Sequence, residues 1–214
     1  MTPKKLLEII SYGESTTVEF KRKATTPMKL AKEIVAMANT SGGYLMLGID
    51  DNGKVYGIPS EKSESDIIRQ ACEFFIIPPI EPDILIINLN DKDVLVLVIE
   101  ESKIKPHKAL IDDSGVAIDY KVYIRLGEKS VEASREMIRL MRQRTENKPV
   151  KLSIGDKERR LFTFLEKSER ATVKDFAKLV NISDRRAERL MIRLVRAGVL
   201  SIHNDAYHDY FTLK

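Results

Sequence analysis

A chain of 214 residues, 43% hydrophobic and 32% charged, can bury cores of normal size in two modest domains, which excludes a disordered chain as the expectation. No apolar run approaches the ~20 residues of a bilayer span, Met1 to Ile10 is too short in its apolar part for a secretory signal, and the single cysteine, Cys72, cannot close an intramolecular disulfide. A cytoplasmic location away from any membrane is therefore expected, and the net charge of +4 is unevenly held: 22 basic against 23 acidic residues over 1–150, and 14 against 9 over 151–214.

In chain order, a short helix is expected near Pro3 to Ile10 and a strand at Thr17 to Lys21. Met28, Ala31, Ile34, Val35 and Ala38 then recur at helical spacing, and Asn39 to Gly43 supply residues that tolerate positive φ and end the helix. Tyr44 to Ile49 is apolar and short enough for a buried strand, and Asp50-Asp51-Asn52-Gly53 has the composition of a hairpin turn returning through Lys54 to Ile58. A helix follows from about Glu64 to Phe75, in which Cys72 sits with Ile68 and Ala71 at core spacing. Pro78, Pro79 and Pro82 precede a second hairpin, Ile84 to Asn88 with Val94 to Glu100. Lys103 to His107 reads as an exposed loop, Val116 to Leu126 as one long strand, and Ser134 to Arg144 as a helix capped by Ser134. The intermixed elements give an α+β fold with a mixed β-sheet and flanking helices over 1–146. Pro149 and the lapse of apolar periodicity mark a linker at 147–154.

Residues 155–214 are punctuated as three helices and a hairpin. Asp156 and Thr172 are candidate caps, Asn181-Ile182-Ser183 makes a turn, and Ala187, Leu190, Met191, Leu194 and Val195 form one apolar stripe ended by Gly198. The opposite face is basic: Arg185, Arg189 and Arg193 are four apart, with Arg186 and Arg196 alongside. Val199 to Ile202 and Tyr207 to Leu213 alternate around Asn204-Asp205, and His203 and His208 lie on that hairpin. The pattern resembles the winged helix-turn-helix regulators. That resemblance implies duplex DNA as partner and a homo-oligomer on symmetric sites, with guanidinium groups contacting phosphates or guanine edges. A solvated arginine face, or a winged helix that binds protein, is the competing reading.

The stretch Ala38 to Lys54, with Glu14-Ser15-Thr16-Thr17-Val18-Glu19-Phe20-Lys21 before it and Tyr123-Ile124-Arg125-Leu126-Gly127 after it, resembles the Schlafen-type AlbA-like domain over roughly the first 145 residues. The resemblance implies a nucleic-acid-binding module of the kind found in bacterial transcriptional regulators. In the nuclease branch of the Schlafens, two glutamates five positions apart and a later aspartate hold a metal. By that resemblance Glu14, Glu19 and Asp50 are candidate ligands for Mg²⁺ or Mn²⁺, with Asp51 as the alternative third member.

Strand alternation puts Glu19 and Lys21 on one face, opposite Val18 and Phe20. A carboxylate beside an ammonium suits metal-dependent phosphodiester cleavage, with Lys21 steadying the developing phosphate charge. The competing reading makes Asp50 and Asp51 turn residues and Glu14 a loop charge or cap. Gly48 to Lys54 also has the spacing of a phosphate loop. Val55 stands where that loop needs Ser or Thr, however, and two aspartates would face the phosphates.

Overall fold

Thr2 opens the first helix: its hydroxyl accepts the Lys5 N–H at 3.2 Å, Pro3 occupies the first turn, and α1 (Pro3–Tyr12) buries Leu6 and Ile9. The computed structural model describes residues 1–111, 119–145, 154–205 and 208–214, with backbone alone at 143–145. The chain divides into two units, Met1–Ala133 and Ser134–Lys214.

In the first unit, β1 (Val18–Lys21) leads to α2 (Pro27–Asn39), which Thr26 caps and which buries eight residues from Leu30 to Asn39. Gly42 and Gly43 then turn the chain at φ +67° and +141° into β2 (Gly43–Leu47). A Cβ at Gly43 would stand 2.1 Å from the Thr17 carbonyl oxygen, so only glycine lets β2 start against β1.

Next come α3 (Glu61–Phe74), β3 (Ile76–Ile77), β4 (Asp83–Leu89) and β5 (Lys92–Ile99). The main sheet has the order β1-β2-β5-β4, with β1 and β2 parallel and the other pairs antiparallel. Leu45, Leu47, Leu95 and Leu97 belong to the core that holds α2 and α3, while Phe20, Met46, Val94 and Val96 pack with Leu6 and Ile9 of α1. Each fully buried side chain of this kind contributes roughly 1.5–3 kcal/mol. β6 (Lys108–Ile111) and β7 (Asp119–Lys121) form a small sheet with β3, and β8 (Tyr123–Leu126) pairs with β9 (Lys129–Glu132) against α2.

Several local expectations change. The Asp50–Gly53 turn forms, but its return chain makes only the single bridge Ile49 to Val55, and β2 takes β1 and β5 as partners instead. Gly48 at φ +99° and Gly57 at φ +81° break the extended backbone on both sides of the turn. The helix expected from Glu64 starts earlier, because Ser60 accepts the Ser63 N–H and caps it. His107, expected in an exposed loop, is 2% exposed. The strand expected from Val116 is interrupted at Val122 into β7 and β8, which lie in different sheets, and its start at 116–118 falls outside the described residues.

The second unit contains α4 (Arg135–Thr145), α5 (Asp156–Ser168), α6 (Val173–Val180), α7 (Asp184–Arg196), β10 (Leu200–Asn204) and β11 (Asp209–Leu213). Ser134 caps α4 through the Met137 N–H at 3.0 Å. Leu140, Leu161, Leu165, Phe176, Ala187, Met191 and Phe211 share one core, and Ala171 adds a bridge to Phe211 beside the β10–β11 hairpin. α4 belongs here because Leu140 joins that core, so the division falls at Ser134, ahead of the boundary expected at 146–147. Most of the expected linker, 147–153, and Tyr207 of the hairpin lie outside the described residues.

Asp156 is not a cap: Gly155 holds that position, and Glu158 accepts its N–H at 3.0 Å. Thr172 and Asp175 do form a reciprocal capping box on α6. Among the described residues no helix is long and apolar enough to cross a membrane.

Candidate nucleic-acid interface

α7 is built to present charge. Asn181 in the left-handed region ends α6, Ile182 follows, and Ser183 begins α7 after this tight turn. Ala187, Met191, Ile192, Leu194 and Val195 are buried. Leu190 is only half-buried and Ile192 takes a core place that the sequence stripe had not given it.

Arg185, Arg186 and Arg189 are exposed, and Arg193 and Arg196 half-buried. Glu188, the acid within this arginine run, is buried and pairs with Arg139 of α4 at 2.5 Å. It is thereby turned from the basic face. Among the described residues no carboxylate pairs with Arg185, Arg186, Arg189 or Arg193; Arg189 Nε donates to the Arg185 carbonyl at 3.3 Å. On the hairpin, His203 meets Thr212 Oγ1 at 3.0 Å and stacks on Tyr210, while the His208 amide donates to Asp205.

The acidic constellation of the first unit is differently engaged. Glu14 Oε1 accepts the Phe20 N–H at 2.8 Å, bending the loop back onto β1. Glu19 is 5% exposed; its Oε1 takes the Lys21 ammonium and its Oε2 the Arg125 guanidinium at 2.7 Å. Arg125 Nη1 also reaches Glu33 at 3.4 Å and Ser130 at 3.3 Å, and Nη2 donates to the Ser15 carbonyl at 2.8 Å. Asp50 Oδ1 accepts the Asn52 and Lys54 amides at 3.1 and 2.9 Å. That is the turn chemistry of an Asx motif.

Burial raises the Glu14 carboxyl above its ordinary range; the Phe20 amide opposes this, while the charges of Glu19 and Asp51 add to it and Lys21 subtracts. Lys21 ends up raised as well: burial pulls it down, but the hydrogen bond and charge of Glu19, with Glu33 and Glu14, outweigh that pull. Glu14, Glu19 and Lys21 are thus gathered at β1, and Asp51, not Asp50, is the aspartate whose charge reaches Glu14.

The residues present do not fit a resident Mg²⁺ or Mn²⁺. Both oxygens of Glu19 are committed to cations, Asp50 serves its own turn, and among the described residues no three His, Cys, Asp or Glu side chains converge as a ligand set. Burial lifts the Cys72 thiol to about 11, with Glu73 and Glu81 adding to the shift, as befits a packing cysteine.

Arg125 is the member that sequence reasoning missed. Its signal was available: an arginine between Ile124 and Leu126 in an apolar strand has to find a carboxylate once buried. Glu33 and Ser130 carried no such signal.

Among solved structures, the chain is similar to the N-terminal domain of a protein from Nitrosomonas europaea described as related to the ATP-dependent DNA helicase RecG. The identity is 26% over 48% of this chain and 74% of that one, with a TM-score of 0.40. It is also similar to the DIP2311 protein of Corynebacterium diphtheriae, at 21% identity over 62% of this chain and 31% of that one, with a TM-score of 0.42. The chain thus spans less than a third of the length of that second protein. The Schlafen, AlbA_2 family model matches residues 14–134, more than half of the chain and the whole span from Glu14 through β9. The chain belongs to the Schlafen AlbA_2 family.

Proposed function

We propose that this protein is a cytoplasmic DNA-binding transcriptional regulator in which an AlbA-like domain is joined to a winged helix, with α7 as the recognition helix. Nucleic-acid binding is what the family suggests. One observation carries the finer reading: α7 exposes Arg185, Arg186 and Arg189 with no carboxylate paired to them among the described residues, and its one interior acid, Glu188, is withdrawn to Arg139.

The order α5, α6, tight turn, α7 and hairpin, with Ala171 bridged to Phe211, matches the frame in which a second helix of the motif enters the major groove. In that frame the guanidinium groups meet phosphates and guanine edges, and Arg193 and Arg196 extend the contact toward the hairpin. A second copy on a symmetric site is the natural assembly for such a unit.

The nuclease reading lacks comparable support, since Glu19 and Asp50 are occupied as described above. Titrating the full chain into duplex DNA at increasing salt tests the proposal. Affinity falling steeply and linearly on a logarithmic salt axis supports phosphate contacts. No duplex binding at low salt, or a salt-insensitive interaction with a protein partner in its place, would overturn it.

A further inference from the structure

Gly48 links two basic segments that are far apart in sequence. Its N–H donates to the Lys21 carbonyl at 2.9 Å, and its carbonyl accepts the Tyr56 and Gly57 amides at 2.8 and 3.0 Å. A Cβ there would lie 3.0 Å from the Gly57 backbone, so the close crossing needs glycine. The chain just past β1 is thereby set beside the chain that leaves the Asp50–Gly53 turn.

The crossing gathers cations around one ring. The Arg22 guanidinium carbon lies 4.1 Å from the centre of the Tyr56 ring and the Lys54 ammonium 5.0 Å from it. Lys92 reaches the Val55 carbonyl at 3.0 Å, one residue away. Arg22, Lys23, Lys54 and Lys92 are exposed, and among the described residues none of them pairs with a carboxylate. Of the nearby acids, Asp50 accepts within its own turn and Asp93 accepts from Asn88 at 2.8 Å, while Asp51 is exposed and pairs with none of these cations.

A half-buried aromatic ring with a guanidinium stacked on it, rimmed by ammonium groups that no carboxylate pairs with among the described residues, is the arrangement that binds unpaired nucleotides. Bases stack on aromatic or guanidinium planes, and cations track the phosphates without reading sequence. We propose that the ledge of Tyr56, Arg22, Lys54 and Lys92 is a second nucleic-acid site that takes a single strand, separate from the duplex contact assigned to α7.

The test uses the full chain carrying Arg185→Ala and Arg189→Ala, which removes the helix contribution. It is titrated into labelled oligothymidylate and oligouridylate of equal length, with duplex binding read in parallel. Single-strand binding should persist in this background, and adding Tyr56→Ala should weaken it about tenfold or more, the loss of one stacked base. Tyr56→Phe should retain it. The exposed pair Arg22→Gln and Lys54→Gln, which leaves the core untouched, should weaken it and flatten its salt dependence by about two charges.

The relative strength of the two oligonucleotides tells whether the sugar matters, and binding of either supports the site. The proposal fails if the parent binds neither strand, or if the Arg22 and Lys54 variant binds both as its parent does. Failure of the α7 reading would show separately, as duplex binding that the arginine substitutions leave intact.

Discussion

Arg125 Nη1 stands 2.7 Å from Glu19 Oε2 across 106 positions of sequence, with the arginine side chain fully buried. Breaking such a pair by removing one partner leaves an uncompensated charge in a low-dielectric site, which costs about 3–5 kcal/mol. Arg125→Met leaves Glu19 with Lys21 as its remaining cation and should therefore destabilise the first unit by up to about that amount in denaturant unfolding. Glu19→Gln should cost less, because its amide still accepts from Arg125 but loses the charge. Mn²⁺ or a chelator should leave the unfolding midpoint of the parent unchanged; a midpoint raised by Mn²⁺ and lost with Glu19 would instead make this a metal site.

Glu14 offers a pH test. Its carboxyl is raised in the folded protein, first by burial, then by the charges of Glu19 and Asp51. A raised folded pKa means that the native state holds the proton more tightly than the unfolded chain. Stability from this group is present at acid pH, below the ordinary value of 4.5, and is lost as pH rises through the raised value. Glu14→Gln keeps an oxygen for the Phe20 amide and should stabilise the first unit at pH 7. That gain should vanish below the ordinary carboxylate range, as unfolding curves at several pH values would show.

His107 predicts the opposite acid response. It is 2% exposed, with Nδ1 at 2.7 Å from the Pro78 carbonyl and Nε2 at 2.6 Å from Ser102 Oγ; the carbonyl can only accept, so Nδ1 carries a proton. Burial holds its pKa below the ordinary 6.5, with Lys105 adding to the shift and the Pro78 hydrogen bond opposing it. Its stability contribution is full above 6.5 and declines as pH falls from there toward the lowered value, because the unfolded chain then takes up the proton first. The unfolding midpoint should drop as pH falls below the ordinary 6.5, and His107→Gln should flatten that segment of the profile.

The second unit should fold from residue 134 and not from residue 152. Leu140 is 3% exposed within the core that holds Met191 and Phe211, so a fragment lacking α4 opens that core. Leu140→Ala should cost about 2–5 kcal/mol by the same argument. Comparing the thermal unfolding of fragments 134–214 and 152–214 tests this; equal midpoints would return α4 to the first unit.

Local signals were legible where chemistry and spacing coincide. The stripe from Met28 to Ala38, the glycines after Asn39, the Thr172 cap and the apolar side of α7 could all be read from the sequence alone. What was not legible depends on partners distant in sequence. No spacing rule joins Glu19 to Arg125, Asn39 to the backbone of His107 and Tyr123, or Arg22 to Tyr56. The unit boundary was misplaced because Pro149 marks where a helix must stop, while core membership depends on where Leu140 packs. The acidic spacing of Glu14 and Glu19 was equally ambiguous, since the same two residues can hold a metal or, as here, divide between the Phe20 amide and the Arg125 guanidinium.

The most direct test of the central claim is the affinity of the full chain for duplex DNA as a function of salt, compared with that of the Arg185→Ala and Arg189→Ala double variant. If α7 is the recognition helix, the double variant should bind about 1–3 kcal/mol or more weaker at low salt, with a salt slope reduced by about two phosphate contacts. A folded double variant with the parent's affinity and slope would contradict the account.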